Sequence, residues 1–311
     1  MKVRRLGDSG LKISEVGLGC NNFGMRIGQE EATAVVDAAI EAGINFFDTA
    51  DIYGGGQSEG MLGKALGARR QGVVVATKFG MPMTGAPYQR GGSRRWIMQA
   101  VDDSLRRLGT DYIDLYQMHQ PDPETPIDET LRALDDVVRA GKVRYLGNSN
   151  FTGWQIADAD WTARSGGFTR FVSAQNQYSL LERAIEKEVL PACARFGQGQ
   201  LPYFPLASGL LTGKYQRGAP APEGTRLAAW GSHGAKSLSD RNFDKLDALT
   251  AFAAEREHSL LELAFAWLLA NPLISSVIAG ATRPEQAQAN AAAGDWRLTA
   301  DEAAAVSELV G

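Results

Sequence analysis

Short apolar segments alternate with longer amphipathic segments along almost the whole chain of 311 residues. The apolar segments, several of them rich in Val, Ile, Phe and Tyr and bounded by Gly or Asp, are typical of parallel strands covered on both faces. We predict eight such strands: Val16–Leu18, Asn45–Phe47, Val73–Thr77, Ile113–Gln117, Val143–Gly147, Phe171–Ala174, Leu201–Phe204 and Ser276–Ile278. Their alternation with helical segments indicates repeated βαβ units.

The segments between these strands have apolar residues at helical spacing. In Gln29–Ala42, for example, Val35, Val36 and Ala39 share one stripe, and Gly43 follows as a stop signal. The other predicted helices are Ser58–Leu66, Ile97–Leu108, Ile127–Ala140, Gly153–Arg164, Ile185–Phe196, Ser259–Ala270 and Pro284–Ala293. Eight strands with eight helices fit a closed (β/α)₈ (TIM) barrel better than an open sheet.

Several segments lie outside this count. Val3–Leu6 and Lys12–Glu15 predict a short N-terminal β-hairpin, and the sequence predicts two extra helices near Arg241–Arg256 and Thr299–Leu309. Lys214–Asp240, rich in Gly, Pro, Ala and Ser, predicts a long loop, and long loops are often functional. With no linker composition anywhere, we expect one domain over residues 1–311.

Composition limits the classes of partner. The formal net charge of −4 gives no basic footprint for nucleic acid, and no apolar stretch reaches the roughly 18 residues that span a membrane. Two cysteines, Cys20 and Cys193, without C-x-x-C spacing argue against a disulfide framework or zinc site. The N-terminal residues are basic with no apolar run after them, so we do not expect a secretory signal there. We expect a cytoplasmic protein, a monomer or small homo-oligomer, acting on a small molecule.

Barrels place catalytic groups at the C-terminal ends of their strands. Asp48, Lys78 and His119 follow the second, third and fourth predicted strands, and Tyr53 lies five residues beyond Asp48. A neighbouring ammonium stabilises a phenolate, so we expect Lys78 to lower the pKa of Tyr53 and make it a proton donor to a carbonyl oxygen. A neutral His119 would orient that carbonyl.

Each residue also has a simpler interpretation. Asp48 and Lys78 fit a structural salt bridge about equally well, and Tyr53 alone fits a packed aromatic. No histidine or cysteine spacing matches a metal site, so we predict none. The glycine run at 54–56 lacks the spacing of a phosphate loop and predicts a tight turn.

The segment GINFFDTADIYG at 43–54, continued by SEGMLGKAL at 58–66, resembles the signature of the aldo-keto reductases. Residues 77–78, 111–119, 141–150 (GKVRYLGNSN) and 205–215 resemble later blocks of that family, in the same order. The resemblance covers nearly the whole chain. It implies a catalytic tetrad of Asp48, Tyr53, Lys78 and His119, with Tyr53 as the general acid.

The resemblance further implies hydride transfer from C4 of a reduced nicotinamide to an aldehyde or ketone. Ser149, Asn150 and Gln175 match positions that hold the carboxamide, and Tyr203 matches the aromatic that stacks on the nicotinamide ring. The remaining implied cofactor residues are Leu206, Gly209, Lys214, Gly280, Thr282, Arg283, Gln286 and Asn290.

Arg283 at a helix N-terminus suits an anionic 2′-phosphate, which favours NADPH (NADP⁺). Ala289 and Gly280 stand where the family often has Glu and Lys, so NADH remains an alternative. For the substrate pocket we predict a set of aromatic residues whose alternative role is simple packing: Phe23, Trp96, Phe151 and Trp230.

Two other classes of protein share parts of this pattern. Potassium-channel β subunits resemble this family and keep the tetrad, which makes a regulatory binding protein one alternative. A Schiff-base aldolase using Lys78 is another, but it needs a desolvated neutral lysine, and Asp48 is expected to keep Lys78 charged.

Overall fold

A computed structural model of the chain describes residues 1–83 and 85–311. It contains the following strands: β1 (Val3–Arg5), β2 (Lys12–Ser14), β3 (Val16–Gly19), β4 (Phe46–Asp48), β5 (Val74–Phe79), β6 (Ile113–Met118), β7 (Val143–Ser149), β8 (Phe171–Gln175), β9 (Gly199–Gln200) and β10 (Val277–Gly280). Strands β3 to β10 are all parallel, in the order β10-β3-β4-β5-β6-β7-β8-β9.

Hydrogen bonds between the chain segments around β9 and β10, at the two ends of this order, close the sheet. The Gln200 amide donates to the Leu273 carbonyl at 2.8 Å, and the Gln200 carbonyl accepts from Ser275 at 3.0 Å. Further along, the Ile278 amide donates to the Pro202 carbonyl at 3.1 Å. The eight parallel strands therefore form the predicted (β/α)₈ barrel.

The seventh barrel strand was predicted at Leu201–Phe204, which is wrong. The regular strand covers only Gly199 and Gln200. The Leu201 and Tyr203 amides still donate toward β8 and the segment after it, but Pro202 has no amide hydrogen for the opposite side and Phe204 has a left-handed φ of 51°. Tyr203 retains an isolated bridge to Gln177, so its place at the barrel mouth is kept.

The helices within the described part of the chain are α1 (Gln29–Glu41), α2 (Gln57–Leu66), α3 (Arg94–Leu108), α4 (Ile127–Arg139), α5 (Gly153–Gly166), α6 (Val189–Phe196), α7 (Arg226–Ala229), α8 (Gly231–Ala235), α9 (Asp240–Ala254), α10 (Leu260–Ala270), α11 (Pro284–Ala293) and α12 (Ala300–Val310). Helices α1 to α6, α10 and α11 surround the barrel, and α9 and α12 are the two predicted extra helices. None is long and apolar enough to cross a membrane, as far as the described residues go.

Two predicted segments differ in detail. The helix predicted from Ile185 begins at Val189 and is preceded by a short 3₁₀ turn, Ala184–Glu186. The predicted loop Lys214–Asp240 contains the short helices α7 and α8. The N-terminal hairpin of β1 and β2 is antiparallel, as predicted.

The hairpin closes the end of the barrel at which the strands begin. Leu6 and Ile13 are fully buried and pack with Phe46, Leu115 and Leu201 inside the barrel. A larger apolar layer fills the space between the strands and the surrounding helices. Because one end is filled by packed side chains, the opposite end is left for polar groups.

Candidate active site

The four predicted catalytic residues lie together at the C-terminal end of the barrel. Asp48 ends β4, Lys78 lies near the end of β5, and His119 follows β6 directly. Tyr53 begins a 3₁₀ turn whose glycines at 54–56 have φ of 58° to 93°, a region that side chains with a Cβ rarely adopt. The turn returns the Tyr53 ring to the barrel mouth, 5.7 Å from the His119 ring.

Lys78 connects the tetrad and is fully buried. Its Nζ donates to Asp48 Oδ2 at 2.6 Å, to the Thr49 carbonyl at 2.9 Å and to the Tyr53 hydroxyl at 3.4 Å. All three donor positions of the ammonium are therefore directed at oxygen atoms. The Lys78–Asp48 contact is a salt bridge, and the same ammonium also contacts the Tyr53 hydroxyl. A structural salt bridge and a role in assisting Tyr53 are therefore compatible for this pair.

Two glutamines orient the Asp48 carboxylate, and sequence reasoning missed one of them. Gln117 and Gln175 donate their Nε2 to Asp48 Oδ1 at 3.1 and 2.9 Å. Gln117 lies on β6 two residues before His119, which directly follows that strand. Residues two apart along an extended chain point to the same face. This alternation was the signal that could have identified Gln117.

The expected direction for the pKa of Tyr53 is corrected by the structure. Burial raises the pKa of Tyr53, and the charge of Lys78 offsets only part of this because Asp48 acts in the opposite direction. Burial lowers the pKa of Lys78, but Asp48 and Tyr53 more than offset it, and the net pKa is raised. Tyr53 is thus a protonated hydroxyl beside a permanent ammonium, which is the state a proton donor needs.

His119 is held neutral. Burial, aided by the charge of Lys78, lowers the pKa of His119 to about 3. Its Nδ1 is buried and has no hydrogen-bond partner among the described residues, while its backbone carbonyl accepts from Asn150 Nδ2 at 2.9 Å. A neutral ring beside the Tyr53 hydroxyl can orient an uncharged polar group such as a carbonyl.

A cavity of about 790 Å³ reaches from the tetrad to the start of α11. Asp48, Tyr53 and His119 line one part of it, with Lys78 buried behind them. All of the residues predicted to contact a cofactor also line it: Ser149, Asn150, Gln175, Tyr203, Leu206, Gly209, Lys214, Gly280, Thr282, Arg283, Gln286 and Asn290. Their common location is observed; their individual roles remain predictions.

Hydrogen bonds order the wall next to the tetrad. The Tyr203 hydroxyl donates to Asn150 Oδ1 at 2.8 Å, and Asn150 has a left-handed φ of 61°. The Ser149 hydroxyl donates to the Gln175 carbonyl at 2.9 Å. Amide, hydroxyl and aromatic groups thus surround one stretch of the cavity, a set suited to a flat polar ring such as a carboxamide-bearing pyridine.

Three cations face another stretch of the cavity, and two of them, Arg26 and Arg226, were not predicted. Burial and the charges of Arg26 and Arg226 lower the pKa of Lys214, and burial followed by the charge of Arg26 lowers that of Arg226. Arg226 lies over the Phe204 ring at 4.9 Å, and Arg26 donates to the Gly224 carbonyl. None of the three forms an ion pair within the described part of the chain, so an anionic ligand would stabilise the group. Arg26 lies in a loop and Arg226 begins the short helix α7, and no sequence pattern marks either residue for such a role.

None of the four aromatic residues predicted for substrate contact is among the described residues that line the cavity. Phe23, Trp96 and Phe151 are at most 3% exposed and belong to the apolar layer behind the barrel wall, so their alternative role, simple packing, applies. Trp230 is 41% exposed and packs edge-on against Phe204, whose ring lines the cavity. Phe204 is therefore a better candidate than the three buried aromatics. No cluster of metal-binding side chains occurs among the residues described.

Comparison with known proteins agrees with this geometry. Residues 15–310 match the model of the aldo/keto reductase family. The chain is 39% identical over 297 residues to an uncharacterized oxidoreductase of Bacillus subtilis (92% of this chain, 89% of the relative). It is 34% identical over 303 residues to L-glyceraldehyde 3-phosphate reductase of Escherichia coli (93% and 86%). A probable voltage-gated potassium channel subunit beta of Oryza sativa is 39% identical over 292 residues (92% and 89%).

The chain belongs to the aldo-keto reductase family and is an oxidoreductase acting on carbonyl groups.

Proposed function

We propose that this protein is an NADPH-dependent reductase of aldehydes and ketones, with Tyr53 as the general acid. The observation that carries the proposal is one continuous cavity. It joins the Tyr53–His119 pair to the cations of Arg26, Lys214 and Arg226 and to the N-terminus of α11. A nicotinamide dinucleotide has a neutral reactive ring, a diphosphate and an adenosine end, which match these three environments in order.

The bound cofactor would supply the hydride, and the residues of this chain do the rest. His119 and the Tyr53 hydroxyl orient the carbonyl oxygen of the substrate. As negative charge develops on that oxygen, Tyr53 donates its proton, and the Lys78 ammonium stabilises the phenolate that remains. Asp48, held by Gln117 and Gln175, fixes Lys78 in place.

A panel of aldehydes, ketones and diketones, assayed with NADPH and with NADH, tests the proposal. We expect oxidation of NADPH with at least one class of carbonyl, at a rate that is saturable in both reactants. A protein that binds NADPH tightly yet oxidises it with no carbonyl would contradict the proposal. It would instead favour a cofactor-binding regulatory subunit, the second candidate, which the similarity to a potassium channel β subunit suggests.

Arg283 is proposed to read the 2′-phosphate that distinguishes NADPH from NADH. It is exposed, precedes Pro284 at the start of α11 and has no ion pair within residues 1–83 and 85–311. Arg283→Ala should weaken NADPH binding about 10- to 100-fold, because one charge-assisted contact contributes on the order of 1.5–3 kcal/mol, and should leave NADH nearly unchanged. Titration calorimetry with both cofactors measures this.

The matched control is Arg106→Ala, which removes an exposed arginine on α3 whose partner is Asp103. It should leave both affinities unchanged. Equal losses for NADPH and NADH in Arg283→Ala would mean that Arg283 does not discriminate between them.

A further inference from the structure

A cluster of buried acidic and polar side chains lies between the barrel wall and helices α2 and α3, separate from the cavity. We call it the buried acid cluster; it consists of Asp51, Glu59, Thr77, Arg107 and Tyr116. Asp51 is 1% exposed, and Glu59 and Tyr116 are fully buried. Burying an ionised carboxyl group costs folding free energy unless the group is paired with a cation and hydrogen-bonded. Each carboxyl group of this cluster should therefore be either paired or neutral.

The cluster has two carboxyl groups and one cation, and the cation is already paired. Arg107 Nε donates to Glu59 Oε2 at 2.6 Å, and the Thr77 hydroxyl donates to Glu59 Oε1 at 2.6 Å. Glu59 is thereby satisfied as a carboxylate. Neither carboxyl oxygen of Asp51 has a side-chain hydrogen-bond partner in the described part of the chain, and neither does the Tyr116 hydroxyl. Asp51 therefore has no counterion of its own.

Charged groups on the neighbouring elements act on Asp51 in both directions. Burial and the charge of Glu59 on α2 raise the pKa of Asp51, while Arg107 on α3, the Ile52 backbone amide and Lys78 on β5 lower it to a smaller extent, so that the net pKa is about 8. Tyr116 on β6 is uncharged, because burial and then Asp51 and Glu59 raise the pKa of its hydroxyl well above the usual value. The burial, the nearby Glu59 and the lack of a counterion all favour the neutral carboxylic acid at Asp51.

The backbone of Asp51 is part of the segment that builds the active site. The Asp51 amide donates to the Lys78 carbonyl at 3.1 Å, and the Thr49 carbonyl accepts from Lys78 Nζ at 2.9 Å. Asp48 and Tyr53 are three residues before and two residues after Asp51 in the same short segment. A charge on the Asp51 carboxyl would draw water or a cation into a packed region and would attract Lys78 away from Asp48.

We propose that Asp51 is a positioning residue that works only as a neutral carboxylic acid, and that its ionisation displaces the Asp48–Tyr53 segment and inactivates the site. The effect on turnover rests on the proposed reductase function. The protonation of Asp51 does not, and it is measured separately.

Folding stability measures that protonation without any assay of activity. Because the unfolded carboxyl ionises near pH 4 and the folded one near 8, stability due to Asp51 is fully present below about pH 4 and is lost as pH rises through about 8. Asp51→Asn has nearly the same shape and no proton to lose. The folding equilibrium constant of the wild type relative to Asp51→Asn should fall about tenfold for each pH unit within this window.

The matched control is Asp111→Asn, at an exposed aspartate, whose folding constant should keep a nearly constant ratio to that of the wild type. A constant ratio for Asp51→Asn as well would mean that Asp51 is ionised in the folded protein and would overturn the proposal. Should Asp51→Asn not fold, infrared spectra of the wild type across pH 8 decide. They should show the carbonyl stretch of one buried carboxylic acid disappearing, and a spectrum without that band contradicts the proposal.

The pH profile of carbonyl reduction tests the positioning role. In the wild type kcat should fall about tenfold per pH unit above pH 8, and in Asp51→Asn this decline should move to the higher pH at which Tyr53 ionises. An unchanged profile in Asp51→Asn would exclude the positioning role even if the stability data show a protonated Asp51. If the wild type reduces no carbonyl, the reductase proposal fails, and the stability and infrared results still stand.

Discussion

Replacement of Tyr53 by phenylalanine should lower kcat for carbonyl reduction about 10²- to 10⁴-fold, since this is the usual contribution of a positioned general acid. The change removes the hydroxyl that lies 3.4 Å from Lys78 Nζ and leaves the ring against His119. Cofactor affinity should change little, because cofactor contacts are assigned to other parts of the cavity. Single-turnover kinetics at saturating NADPH, together with a cofactor titration, separates the two quantities.

The control for this variant is Tyr178→Phe. Tyr178 is also buried, and its hydroxyl donates to Glu186 at 2.8 Å, outside the residues that line the cavity. Its loss should reduce stability modestly, by about 1 kcal/mol, with kcat unchanged. A Tyr53→Phe protein with full activity would mean that the proton comes from another group, such as water ordered by His119, while the fold and family would stand.

The fold was predictable because its signals are local and repeated. Eight apolar segments with intervening amphipathic stripes define the order of strands and helices, and only a closed barrel brings the ends of all eight to one rim. The failure at Leu201–Phe204 has a local cause. An apolar run identifies a segment of the barrel wall, but it does not show that regular pairing ends at Gln200, where Pro202 lacks an amide hydrogen and Phe204 is left-handed.

The candidate site was predictable where position along a strand determines the direction of a side chain. Asp48 and Lys78 lie at or near the ends of their strands and His119 directly follows its strand, so their side chains meet at the mouth whatever the loops do. Phe23 and Phe151 lie in loops and Trp96 on a helix, and the direction of such side chains depends on backbone angles that no residue pattern specifies. The cations Arg26 and Arg226 come together only because the segment after β9 folds back across the cavity.

Among the substitutions proposed here, removal of the Lys78 ammonium from its pair with Asp48 should cause the largest loss in the free energy of unfolding. In Lys78→Met the Asp48 carboxylate, 3% exposed, would remain buried without a counterion, and breaking a buried pair in this way costs about 3–5 kcal/mol. Urea unfolding measures the loss. Lys142→Met is the control, because Lys142 Nζ lies 2.6 Å from Asp102 just as Lys78 Nζ lies 2.6 Å from Asp48, but at the surface. That exposed pair should contribute about 1 kcal/mol or less.

The double variant Asp48→Asn/Lys78→Met separates the structural role of the pair from its chemical role. Removing both charges removes the unpaired carboxylate, so most of the stability lost in Lys78→Met should return. The amide oxygen introduced in place of the Asp48 carboxylate can still accept from Gln117 and Gln175. Activity should not return, because no ammonium remains to stabilise the Tyr53 phenolate. Recovery of both stability and turnover would show that Lys78 serves only to neutralise Asp48. Recovery of neither would show that the ammonium is needed for the packing of the Asp48–Tyr53 segment through its bond to the Thr49 carbonyl.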